Sequence, residues 1–323
     1  MIDFIKPECT HSRRKKSGLT KSGTQRYKCL DCGKRFTEST ATFAGMQIGM
    51  ETAVAIISQL CEGTSVRATA RLVGVDVKTV LELLLLVGPR CKAFLESKIQ
   101  NVEVSDVQCD EIWQFVYCKR RTARKLEPET GHGGPCGDSW CWTAVERHTK
   151  LILCFHVGRR TDADADAFTT KLRYATAPKK FQISTDGLSS YVYPIAHNLG
   201  ERVDYGRLIK IYKGGDNAGG RYSPPRIAGA KRETVHGNPD DKRICTSHVE
   251  RTNGSIRCFS KRYGRLTYCF SKKWENHECA VALQFAHFNF CRKHKTLKAT
   301  PAMASKLADH VWTVEELLTA IAA

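Results

Sequence analysis

The chain has 323 residues and a formal net charge of +18, with 51 Lys and Arg against 33 Asp and Glu and a sequence pI near 9.3. That length allows two or three domains with real cores, and that charge calls for a polyanionic partner, because Lys and Arg displace counterions from nucleic-acid phosphates. Charge alone fits RNA and anionic membrane surfaces as well as DNA, but the longest apolar run, VLELLLLVG around residues 80 to 88, contains a glutamate and falls short of the roughly 18 to 20 residues that span a bilayer.

The opening MIDFIKPEC has no signal-peptide anatomy. Fifteen cysteines, odd in number and scattered from Cys9 to Cys291, argue against a disulfide framework and for a reducing cytoplasm with mostly buried thiols.

The head, residues 1–45, is too small and polar to bury a core without a metal or a cross-link. Cys29 and Cys32 stand in YKCLDCGKRF, a spacing that turns two sulfurs toward one tetrahedral ion, with Gly33 tolerating the tight backbone after them. The first half of such a clip offers only Cys9 and His11 in ECTHS, and 17 residues separate His11 from Cys29, as between paired zinc-ribbon knuckles. The competing reading is two free thiols in a disordered basic head. Arg13, Arg14, Lys15 and Lys16 are the head's candidate DNA contacts.

Over residues 46–100 apolar positions recur at helical spacing, broken at CEGTS and at VGVDV, which predicts three short helices. TSVRATARLVGVDVKTVLELL, residues 64 to 84, has cap residues at Thr64 or Ser65, a turn at Gly74 and a second helix opening near Asp76, the layout of a helix-turn-helix. In that layout the second helix enters the major groove by its N-terminal residues, so Asp76, Lys78 and Thr79 become candidate DNA contacts. A helical hairpin that only packs, with Lys78 as a solvated charge, fits the same residues.

Residues 101–300 change texture: DVQCDEIWQFVYC, SWCWTAVER and LILCFHVG read as strands, DADADAFTTKLRYA as a helix and FQIST as a further strand, which predicts an α/β domain with mixed pairing. This order leaves room for a β-meander and a crossover that returns the chain beside its first strand. Residues 213–246 are rich in Gly and Pro and read as a surface arm or an ordered loop. Two helical stretches follow, HVERTNGSIRCFSKR and KKWENHECAVALQFAHFNFCRKH, and the tail, residues 301–323, reads as capped short helices.

Three carboxylates stand out. Asp110 lies in an otherwise apolar strand, where an unpaired charge is expensive to bury; the two-residue period points Glu111 to the other face, so only one of the pair is expected at a shared site. Asp186, in STDGLSSY just past a strand, occupies a common ligand-binding position of α/β proteins, or simply caps the helix opening at Leu188. Glu250 and Arg257, seven residues apart on a helix, share one face with Asn253 between them; a solvated helix face is the plainer reading. Together the acids would form an oxygen-ligand cluster for a hard cation such as magnesium, suited to in-line phosphoryl displacement. TDADADAF reads as a helix first turn favoured by the dipole, and His132, Cys136 and Cys141 form a weaker metal candidate with no fourth ligand.

CDEIWQFV, STDGLSSY, HVERTNGSIR and RYGRLTYCFSKKWENH together resemble the catalytic region of insertion-sequence transposases of the IS-one family, and the resemblance extends over YKCLDCGKRF and the helix-turn-helix. It implies an RNase H-like mixed sheet flanked by helices, preceded by a zinc ribbon and a helix-turn-helix. It also implies Asp110, Asp186 and Glu250 as acids binding Mg²⁺ or Mn²⁺, Arg257 as the basic residue two turns on, and structural Zn²⁺ in the head. The implied substrates are terminal inverted repeats and target double-stranded DNA, with a homodimer or higher oligomer joining two ends at the nucleoid. Two competing functions keep parts of this pattern: a DNA-binding regulator with an inert nuclease-like domain, and an RNase H-like nuclease acting on RNA or a hybrid. The Cys9-Thr-His11 half-knuckle and the Gly/Pro-rich arm depart from the pattern.

Overall fold

The computed structural model describes residues 11–19, 25–37, 43, 46–125, 135–213, 226–264 and 267–322. Two units divide the chain, Met1–Met50 and Glu51–Ala323. Cys9, His132 and residues 214–225 of the arm lie outside the described residues.

The first unit carries a three-stranded antiparallel sheet in chain order, β1 (Arg14–Leu19), β2 (Gln25–Cys29) and β3 (Arg35–Thr37). Among its described residues only Cys29 and Phe43 are buried apolar groups. Its side chains pack at the surface instead: His11 stacks on Phe36 at 5.0 Å, and Arg14 lies over the Tyr27 ring at 5.1 Å.

The second unit opens with α1 (Met50–Cys61), α2 (Val66–Val73) and α3 (Val77–Lys98). The breaks expected at CEGTS and VGVDV hold, but α3 is not short: its 22 residues run straight through Pro89. Proline removes one backbone hydrogen bond, whereas the apolar stripe of Val80, Leu83, Leu84, Val87, Cys91 and Phe94 continues past it, all buried. Contact with α8 (Trp274–Phe290) is close enough at Gly88 that a Cβ there would sit 2.3 Å from Cys279 Cβ.

A six-stranded mixed sheet forms the centre, in the order β6-β5-β4-β7-β8-β9. β4 (Asp106–Val116) is followed by a single turn of helix, α4 (Arg120–Ala123), then by β5 (Gly137–Glu146) and β6 (Ile152–Gly158) in an antiparallel meander. The chain crosses through α5 (Asp162–Ala175) to β7 (Phe181–Thr185), which pairs parallel to β4. α6 (Val192–Leu199) leads to β8 (Val203–Tyr212), parallel to β7, and β9 (Ile227–His236) returns antiparallel at the edge. Meander and crossover thus place the first strand beside the fourth, as the segment lengths allow. The second part of the Gly/Pro-rich arm is this exposed edge strand; ladder hydrogen bonds to β8 order it without burying it.

Helices cover both faces. Trp142 of β5 meets Phe168 of α5 and Tyr191, with ring centroids 6.1 and 5.1 Å apart, while Phe155 of β6 meets Phe285 of α8 at 5.0 Å on the other side. β4 is buried along almost its whole length, as a central strand covered on both faces must be. α7 (Ser247–Phe259) lies on the α8 face, and α9 (Pro301–Ala304) and α10 (Val314–Ala322) close the chain. Among the described residues no helix is long and apolar enough to cross a membrane.

Candidate functional site

The parallel pairing of β4 with β7 sets Asp106 against Gln182, Val107 against Ile183 and Gln108 against Ser184. The same offset carried two residues further sets Asp110 against Asp186, just past the end of β7. Two acids distant in sequence therefore stand side by side at the C-terminal end of a parallel strand pair, where the chain leaves the sheet and opens a crevice.

One carboxylate oxygen each from Asp110, Glu111 and Asp186 lies within 4.8 Å of the others. Glu111 was expected to turn away. Its backbone does face the α5 side, opposite Trp142, but its carboxylate still reaches Asp110 and Asp186. There Oε1 meets Arg160 Nη2 at 2.6 Å and Nε at 2.8 Å, and Oε2 accepts from the Tyr191 hydroxyl at 3.1 Å.

The acids of β4 differ in what neutralises them. Asp106, fully buried, is held by Arg147 at 2.9 Å and Arg243 at 3.2 Å. Glu111 has Arg160. Among the described residues Asp110 has only neutral donors: the Glu111 N–H at 2.9 Å on Oδ1 and the Asn253 amide at 2.8 Å on Oδ2. Burial, then the charges of Asp186 and Glu250, push the Asp110 carboxyl up to about 7 against those two hydrogen bonds. Burial, then Asp186 and Asp110, push Glu111 up to about 8, with Arg160 opposing. Asp186 accepts the Leu188 N–H at 3.0 Å across a local turn, but the short 3-10 helix that follows, Ser189–Tyr191, has Leu188 at its start and no side-chain cap, so Asp186 is not a helix cap.

Glu250 stands outside the three-acid group. Its Oε1 accepts from Lys210 Nζ at 2.6 Å and from Thr246 Oγ1 at 2.5 Å. Burial lowers the Lys210 pKa, but the Glu250 hydrogen bond and charge outweigh it and the net shift is upward. α7 is pinned to β4 by Gln108, whose Oε1 accepts the backbone N–H groups of His248 at 2.9 Å and Val249 at 3.2 Å. Asn253, one turn beyond Glu250, reaches Asp110, and its own Oδ1 is buried without a hydrogen-bond partner among the described residues. Arg257 is half-buried on the same helix. Gln108 could have been read from the strand period, two residues before Asp110 on the same face; nothing local marks Lys210, Arg160 or Tyr191.

In the first unit, His11, Cys29 and Cys32 form the other group able to hold a metal among the described residues, with Cys32 Sγ 3.4 Å from His11 Nδ1. Hydrogen bonds to the Cys29 sulfur, led by the Cys32 N–H and joined by His11, draw its pKa down to about 6. Arg13 pairs with Asp31 at 3.2 Å, and Lys15 and Lys16 are exposed.

α2 is capped by Ser65, Gly74 takes a left-handed φ of 75°, and Asp76 caps α3 by accepting the Lys78 N–H at 2.7 Å. Lys78 projects with its side chain 81% exposed and Glu82 at 3.7 Å; Thr79 is partly buried. Asp164, in the first turn of α5, and Asp166, just beyond it, bind His156 and Asn198, each at 2.9 Å, as structural groups. Cys141 is buried in β5 and joins no metal-capable group with Cys136 among the described residues.

No known family model matches this chain, and no curated protein matches it closely enough to count as a relative.

Proposed function

We propose that the chain is a DNA transposase of the Asp-Asp-Glu type, acting on double-stranded transposon ends and target DNA through a divalent-cation site on an RNase H-like domain. The observation that carries this reading is Asp110: a partly buried central-strand carboxylate without a cationic partner among the described residues, beside Asp186 and Glu111. Burying such a charge unpaired costs several kcal/mol, roughly, and a bound cation would remove that cost. The fit is good, because the available donors are carboxylate oxygens suited to Mg²⁺ or Mn²⁺. An antiparallel meander followed by parallel strands, with the first strand central, supports the RNase H-like assignment.

A cation held there would polarise a phosphate oxygen and favour ionisation of an attacking hydroxyl. Asp110 and Asp186 would supply oxygens from the sheet, and Glu250, once released from Lys210, would supply one from α7. Asn253 steadies Asp110, and Gln108 holds α7 in register with β4. The net charge of +18, the exposed N-terminus of α3 and the basic β1 support DNA as the polyanion. His11, Cys29 and Cys32, with Cys9 as the further candidate, would hold a structural Zn²⁺ in a ribbon-like head. A dimer joining two ends and a nucleoid location belong to the same reading.

One observation favours the inert DNA-binding alternative: Glu250 is ion-paired to Lys210 rather than grouped with Asp110 and Asp186. Cleavage of a duplex carrying the flanking element's end, in Mg²⁺ or Mn²⁺, decides between them. The transposase reading expects cutting by the intact protein and at least a ~100-fold loss in Glu250→Gln, as for removal of a group that acts in the transition state. Binding without cutting by either protein would establish the regulator. Competition by RNA or a hybrid in preference to duplex DNA would move the substrate to an RNase H-like nuclease.

A further inference from the structure

Three acids of the second unit are neutralised by different chemistry. Asp106 is clamped by two arginines, and Glu111 by an arginine and a tyrosine hydroxyl. Their side chains are 0% and 2% exposed, and planar guanidinium forks hold carboxylates in fixed geometry. Glu250 is different. Its partner is Lys210, an ammonium on a flexible four-carbon stem, and the pair is open to water at 26% and 41% side-chain exposure. Lys210 is also near enough to Asp110 for that charge to act on it.

We propose that Lys210 is an exchangeable counter-ion: it occupies Glu250 while the site lacks a divalent cation, gives the carboxylate up when the cation engages, and then pairs with a phosphate of the bound strand. The inference rests on the cation-site reading of Asp110, Asp186 and Glu250. A divalent ion drawing on Glu250 would compete with the ammonium for the same carboxylate, because Lys210 Nζ now sits 2.6 Å from Glu250 Oε1. Release needs only side-chain rotamer changes, since β8 is fixed between β7 and β9 and exposed rotamers flip in about nanoseconds. Thr246, which donates to the same oxygen, lies one turn before Glu250 and keeps the carboxylate oriented when the lysine leaves.

The sign of the effect separates this role from a supporting one. In the full chain without DNA, Mn²⁺ binding followed by the EPR signal of the free ion should tighten about fivefold in Lys210→Met, the size expected for losing one partly exposed competing ion pair. Lys210→Gln should do the same, which guards against a folding defect in either variant, and thermal melts check that both are folded. Glu250→Gln should weaken binding, and adding Lys210→Met to Glu250→Gln should change nothing further.

Unchanged or weaker Mn²⁺ binding in folded Lys210 variants overturns the proposal, as does equal tightening in the Glu250→Gln background, which would mean a diffuse field effect. Binding of a random-sequence duplex, read by fluorescence anisotropy, should fall several-fold in Lys210→Met when Ca²⁺ fills the site and less than about twofold in EDTA. Equal losses in both conditions would refute the exchange. If Asp110→Asn leaves Mn²⁺ binding untouched, the cation-site reading itself fails and the Lys210 proposal falls with it; intact Asp110 dependence without Lys210 tightening sinks only the latter.

Discussion

Asp110→Asn should make the metal-free protein more stable at pH 8 while removing its response to Mg²⁺. Asp110 titrates at about 7 in the folded protein against an ordinary 3.8, so the folded state holds this proton more tightly than the unfolded chain. Ionisation therefore costs stability, with the cost absent below the lower value, growing as pH rises between the two, and constant above the upper one. At 1.36 kcal/mol per pH unit the full cost is about 4 kcal/mol. Part of the repulsion stays with Asp186 and Glu111, so the substitution should recover about 2 kcal/mol, or roughly 4 to 8 °C in Tm for a domain of this size.

Hydrogen bonding survives the change, because Asn253 can turn its amide and offer its unpartnered Oδ1 to the new side-chain N–H while the Glu111 N–H keeps an oxygen acceptor. Melts followed by circular dichroism in EDTA, from about pH 4.5 to about pH 8.5, should show the two proteins close together at the acid end and the variant higher at the alkaline end. Mg²⁺ should raise the Tm of the intact protein only. A variant Tm at or below that of the intact protein at pH 8, or a difference independent of pH, would refute the reasoning.

Gly88→Val should cost about 3 kcal/mol or more in denaturant unfolding, because its Cβ would fall 2.3 Å from Cys279 Cβ; a loss below about 1 kcal/mol would mean α3 and α8 can move apart. Gln108→Ala leaves the His248 and Val249 N–H groups without their acceptor. It should cost about 2 kcal/mol and reduce metal-dependent cleavage more than DNA binding; an equal loss of both would deny Gln108 its role in placing Glu250. Cys29→Ser should abolish Zn²⁺ retention measured with a colorimetric chelator. Hydrogen bonds draw the Cys29 thiol down to about 6, which favours the thiolate that zinc needs, so the intact site should retain zinc at about pH 7; loss of zinc at that pH would contradict the arrangement.

Much of this protein was readable in one dimension because the relevant physics is local. Strand and helix periods located β4 to β7, α5, α7 and α8, and the turn at Gly74 with its flanking caps Ser65 and Asp76 separated α2 from α3. The cost of burying a carboxylate singled out Asp110, and the spacing of Cys29 and Cys32 singled out the turn that bears them. Local rules failed where packing overrode them. α3 runs through Pro89 because its apolar stripe has α8 to pack against. β9 became a strand because β8 offered an unpaired edge, which no residue in the arm announces.

The site divides in the same way. Identity and spacing nominated Asp110, Asp186 and Glu250, but only the parallel register of β4 and β7 brought Asp110 beside Asp186. Strand alternation sent Glu111 to the far face, yet a side chain of that length reaches round the sheet at the crevice, where Arg160 and Tyr191 hold it. The counter-ion of each acid was also beyond the sequence: Arg147 and Arg243 on Asp106, Arg160 on Glu111, Lys210 on Glu250 and none among the described residues on Asp110. Ion pairing depends on which segments meet across the sheet, and that is decided by strand order, crossover and helix docking, which no local pattern encodes.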